Sequence, residues 1–242
     1  MTPGFDGHAF VPIIRSLVET PRDEQGREGR RIGAWAGLVL ALVVLGYGSR
    51  LEGGDPPEDA LYRYDTAIGG IAVYGVLFLV LVWIARGLSF REFFALHRPA
   101  SWPKALGLSL LAYAAIVVGA GLIIIALDAG DEQGLTPEAW DSSRAGAYAA
   151  NFVSVALVGP IVEELMYRGG GMTLLARFGA PLAVLVTSLT FGLGHGLLLA
   201  LPALVFFGVV TAVLRLKTGS VYPCILVHCA FNATSLIAAV TT

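Results

Sequence analysis

From Ala180 to Leu214 the chain runs for thirty-five residues, APLAVLVTSLTFGLGHGLLLALPALVFFGVVTAVL, without one Asp, Glu, Lys or Arg. As a helix rising about 1.5 Å per residue, such a run reaches roughly 52 Å. A bilayer core is only about 30 Å thick, so the run is too long for one crossing and just enough for two short ones. Pro202 is the natural place to break it, because proline removes a backbone donor and clashes with the preceding turn. A run of this kind commits the chain to a membrane and to helices, since backbone in lipid must satisfy its own hydrogen bonds.

The rest of the sequence agrees. Apolar stretches at about 32–48, 66–85 and 105–127, one opening near 145, and one at about 220–240 bring the expected number of helices to about seven. Charged residues make up 14% of the chain, against about a quarter in soluble domains, and mean hydropathy is +0.73. We therefore expect an all-α, polytopic membrane bundle of about seven transmembrane helices with its site inside the bundle. Its transmembrane domain is expected over 32–242, after an N-terminal segment, 1–31, whose stretch Phe10–Glu19 reads as a short surface amphipathic helix. No cleavable leader is evident, so the first span is expected to serve as an uncleaved anchor.

Charge sets orientation. Of sixteen Lys and Arg residues, Arg50, Arg63 and Arg144 fall in loops on one side, Arg168 falls within a span, and the other twelve share the opposite side with the N-terminus. The positive-inside rule then predicts a cytoplasmic N-terminus. A net charge of −2 gives no reason to expect nucleic acid. Cys224 and Cys229, close together in one apolar stretch, read as buried thiols rather than as a metal site or a disulfide framework.

Against this background the ionisable residues inside spans are few: Glu163, Glu164, Arg168, His195 and His228, with Asn232 as a neutral companion. Such groups cost several kcal/mol in lipid and usually face a cavity or the bundle interior. Glu163 and Glu164 are consecutive, so they point about 100° apart on a helix and serve different purposes. Glu164 and Arg168 have the i, i+4 spacing of an ion pair. Phe191 shares a face with His195, and His228 with Asn232. A turn near Gly179 would level Glu163, sixteen residues before it, with His195, sixteen after it. His228 lies only about nine residues past the turn at KTGS and fits that level less well, unless the last turn sits deep.

Taken singly, each residue could be structural: a Glu–Arg pair locks bundles, and a buried His hydrogen-bonds carbonyls. Together, a carboxylate and two imidazoles in a dry pocket suit hydrolysis of a carbonyl compound by either of two mechanisms. Glu163, His195 and His228 could hold a divalent metal such as zinc that polarises water. Alternatively Glu163 is itself the general base, with the imidazoles and Asn232 stabilising the oxyanion. A proton or ion path also uses Glu and His, but strings its sites through the depth, whereas these cluster.

Three motifs carry a resemblance. EELMYR (163–168), FGLGH (191–195) and HCAFN (228–232) read as EExxxR, FxxxH and HxxxN, in that order. This resembles the CPBP (CAAX protease and bacteriocin-processing) family of intramembrane endopeptidases, over about 145–240. The family includes an endoplasmic-reticulum endopeptidase that trims prenylated CAAX proteins, and many bacterial relatives. The resemblance implies that Glu163 activates water, with His195 and His228 as its partners and Asn232 as an oxyanion-side donor. Glu164 and Arg168 would be the supporting pair, with Phe191 beside them. It also implies a bacterial plasma-membrane protein acting on a membrane-associated or lipidated protein or peptide. It leaves open both the metal and the alternative of a non-proteolytic interaction or bacteriocin-immunity protein that keeps the fold.

Overall fold

The computed structural model describes residues 22–53, 57–130, 132 and 139–241. The expected amphipathic stretch Phe10–Glu19 lies outside them. Among the described residues eight helices follow in order: α1 Arg22–Gly53, α2 Tyr64–Ile84, α3 Phe90–Phe93, α4 Trp102–Ala126, α5 Ser142–Phe178, α6 Ala180–Leu193, α7 Leu201–Thr218 and α8 Tyr222–Ala239. Six are long and apolar enough to cross a membrane, and α6, with 14 residues, is a shorter apolar helix. The chain is an integral membrane helix bundle, with no strand among the described residues. Residues 22–31 form the first turns of α1, so the basic segment continues into the first span.

Proline marks the helix starts. Pro103, Pro181, Pro202 and Pro223 each occupy the first turn of α4, α6, α7 and α8, where a missing N–H costs nothing. Pro202 therefore opens α7 rather than closing α6. The charge-free run breaks earlier, after Leu193, because Gly196 adopts φ +67 and its Cα lies against the backbone of Gly46 in α1. A Cβ on Gly196 would come within 2.6 Å of the Gly46 carbonyl, so only glycine permits both the turn and the approach.

α7 packs on α6 and α4, α8 on α4 and α5, and α2 on α5. α5 is irregular: the turns at Ser154–Val158 and Leu165–Gly171 are widened π segments on either side of Gly159–Glu164. Pro160 follows the first of them, and a wider turn accommodates its ring and missing donor. The last helix starts deep. Ser220 and Val221 are fully buried, and the Val221 N–H donates to the carbonyl of Ala95 just past α3 at 3.1 Å. That deep start brings His228 to Glu163 despite the short count from the preceding turn.

Candidate active site

The two adjacent glutamates of α5 face different surroundings. Glu164 is fully buried, and its Oε1 lies 3.2 Å from Nη1 of Arg168, which is also fully buried. The Arg168 guanidinium sits 4.5 Å over the ring of Phe191 and donates from Nη2 to the carbonyl of Gly208 at 3.2 Å. Glu164 Oε1 also accepts from Nδ1 of His228 at 2.9 Å. A carboxylate can only accept here, so the proton is on Nδ1 and the other ring nitrogen, Nε2, is left for chemistry.

Glu163 turns instead toward a cavity of about 340 Å³. Its Oε1 accepts from the Tyr74 hydroxyl at 2.8 Å, and its Oε2 lies 3.8 Å from His228 Nε2. That gap is longer than a hydrogen bond. His195 and Asn232 line the same cavity. His195 stands two residues beyond the last residue of α6, in the turn rather than on the helix. It is still held one turn from Phe191, with Nδ1 at 2.8 Å from the Phe191 carbonyl. A carbonyl has no proton to give, so His195 likewise carries its proton on Nδ1 and leaves Nε2 available. The Asn232 amide donates to the carbonyl of Val155, within the first widened turn of α5, at 2.9 Å.

Aromatic rings fix these groups. Phe191 and Phe207 stack at 5.5 Å, His195 meets the edge of Phe191 at 4.8 Å, and His228 packs on Phe207 at 4.7 Å. The surroundings are largely apolar, which strengthens any interaction with charge that develops there. The structure thus brings Glu163, His195, His228 and Asn232 to one cavity and sets Glu164, Arg168 and Phe191 behind them. Among the described residues, no three His, Cys, Asp or Glu side chains form a group that could hold a metal ion. The set Glu163, His195 and His228 is not drawn together in that way.

Tyr74 belongs to none of the three motifs. It reaches Glu163 because Gly159, one turn before Glu163, carries no side chain: a Cβ there would meet the Tyr74 ring and hydroxyl at 2.8 Å. The only sequence hint is a phenol in the middle of an apolar span, where a hydroxyl needs a partner.

Fold and site define a polytopic membrane protein with a buried carboxylate–imidazole cavity between its helices. Residues 145–234 match the family model described as Rce1-like, type II CAAX prenyl endopeptidase Rce1-like. The resemblance carried by the three motifs is therefore shown over the stretch that contains all of them, while Tyr74 lies outside it. No curated protein and no solved structure matches the chain.

Proposed function

We propose that the chain is an intramembrane endopeptidase that hydrolyses a peptide bond of a membrane-associated or lipidated substrate. Glu163 Oε2 takes a proton from water, and the resulting hydroxide attacks the scissile carbonyl carbon. The oxyanion that forms accepts a hydrogen bond from the second N–H of the Asn232 amide, while the bare Nε2 atoms of His195 and His228 accept from water in the cavity and orient it for attack. Glu163 then passes the proton to the departing amine, so that a carboxyl and an amine leave together. Glu164 keeps His228 in the Nδ1–H tautomer, Arg168 balances the Glu164 charge, and Tyr74 holds the Glu163 oxygen that does not face His228. The observation that carries this reading is that Glu163 and two imidazoles, each fixed through Nδ1, share one cavity among apolar helices. The family match over the same residues supports it. The distribution of Arg and Lys supports placing the N-terminus in the cytoplasm.

The test is to incubate the purified, folded protein with a panel of prenylated and plain peptides and to locate any new termini by mass spectrometry. Arms with and without a chelator separate general-base chemistry from metal chemistry on the same donors. Cleavage at a defined bond is expected. A folded sample that cleaves none of the panel would refute this reading in favour of a non-proteolytic membrane partner.

A further inference from the structure

A second cavity lies at the other end of α1, away from Glu163. It has a volume of about 610 Å³ and is lined by Arg27, Arg30, Arg31 and Ala34 of α1, and by Trp83, Ile84 and Arg86 at the end of α2. The α1 residues follow the i, i+3, i+4, i+7 spacing that aligns side chains on one helix face. Arg31 is fixed in place. Its Nε donates to the Ile84 carbonyl at 3.3 Å and its Nη2 to the Arg86 carbonyl at 2.9 Å, at the C-terminal end of α2. Among the described residues no carboxylate lines the cavity. The nearby Glu28 is engaged elsewhere, in a 3.0 Å ion pair with Arg177. Among the described residues, no ion pair uses Arg30, Arg31 or Arg86.

The guanidinium groups of Arg30, Arg31 and Arg86 around one cavity repel one another unless an anion joins them. The position of the cavity says which anion. It sits where two apolar spans end, and Trp83 on its rim is 58% exposed. A tryptophan at that depth lies at the level of lipid headgroups, with acyl chains running down the spans beneath it. Guanidinium groups suit a phosphodiester because they offer paired donors matched to its oxygens.

We propose that this cavity is a binding site for the phosphate headgroup of an anionic phospholipid in the adjoining leaflet, and that the bound lipid ties α1 to α2. The proposal is independent of the protease reading. In detergent micelles, added phosphatidylglycerol is expected to raise the unfolding midpoint saturably, while phosphatidylcholine and inorganic phosphate at equal concentration leave it unchanged. The double variant Arg30→Gln/Arg86→Gln should weaken phosphatidylglycerol binding roughly 30-fold, the combined contribution of two interfacial arginines. Arg91→Gln/Arg98→Gln, which removes two exposed arginines outside the cavity, should leave binding intact. An equal gain from phosphatidylcholine, full binding by the first double variant, or equal loss in the second would overturn the proposal. So would an equal gain from inorganic phosphate, which would make this a site for free phosphate. Should the first variant fail to fold, dibrominated phosphatidylglycerol provides a readout in the unaltered cavity. It should quench fluorescence in the wild type but not the signal that remains in Trp83→Phe, and an unquenched wild type would refute the site.

Discussion

Replacing Arg168 by methionine keeps much of the side chain's length and removes its charge, leaving the Glu164 carboxylate buried with His228 as its remaining polar partner. Both members of the Glu164–Arg168 pair are 0% exposed and lie 3.2 Å apart, so water cannot compensate. Breaking a buried pair by removing one partner costs about 3–5 kcal/mol, mostly as the desolvation of the stranded charge. The loss of the cation over Phe191 at 4.5 Å and of the bond to the Gly208 carbonyl acts in the same direction. Arg168→Met should therefore remove much of the stability of a domain, which is typically about 5–15 kcal/mol. Adding Glu164→Gln should restore part of it, because the stranded charge is gone and a glutamine oxygen still accepts from His228 Nδ1. Denaturant unfolding of the wild type, both single variants and the double variant in the same micelles gives the coupling as a double-mutant cycle. A loss below about 1 kcal/mol for Arg168→Met, the range of exposed salt bridges, would refute the reasoning.

Other expectations follow from single contacts. Tyr74→Phe removes the hydrogen bond to Glu163, and a bond to a charged group contributes about 1.5–3 kcal/mol. On the proposed activity it should lower kcat by roughly 10- to 100-fold with little change in KM or in unfolding midpoint, a combination that a merely structural role would not give. Gly196→Ala places a Cβ against the Gly46 carbonyl at a left-handed φ, so it should lower the unfolding midpoint and activity together, whereas Gly48→Ala, with open space around it, should not. Glu132 accepts from the backbone N–H groups of Leu198, Leu199 and Ala200 at 2.6, 3.0 and 2.7 Å. Burial pushes its carboxyl up, but these three donors and Arg50 outweigh that and hold it below its ordinary 4.5. Its contribution to stability is thus fully present above that ordinary value and is lost as pH falls through the lowered one. The difference in unfolding midpoint between wild type and Glu132→Gln should shrink on acidification over that interval.

The bundle and the members of the site were legible because lipid makes an ionisable residue conspicuous: Glu163, Glu164, Arg168, His195 and His228 stand out in apolar stretches. Helical spacing also separated Glu163, facing the cavity, from Glu164, facing Arg168. What the spacing could not give was set by contacts remote in sequence. α6 stops at Leu193 because Gly196 meets Gly46, about 150 residues earlier, so no local pattern marks the break. The depth of His228 depends on the Ala95 carbonyl receiving Val221. Tyr74 resembles any other interfacial or core tyrosine until Gly159 is seen to open its path to Glu163. The widened turns of α5 shift the helix phase in a way that a uniform 3.6-residue repeat does not capture.

The most direct measurement is the rate of cleavage of one susceptible peptide by Glu163→Gln beside the wild type, with unfolding midpoints taken on the same samples. Glutamine preserves the shape of the side chain and can still accept from Tyr74, but it cannot take a proton from water. With the fold intact, kcat should fall by about 10²–10⁴-fold, the range of a lost general base. A folded Glu163→Gln that cleaves at the wild-type rate would contradict the assignment of Glu163 as the group that activates water.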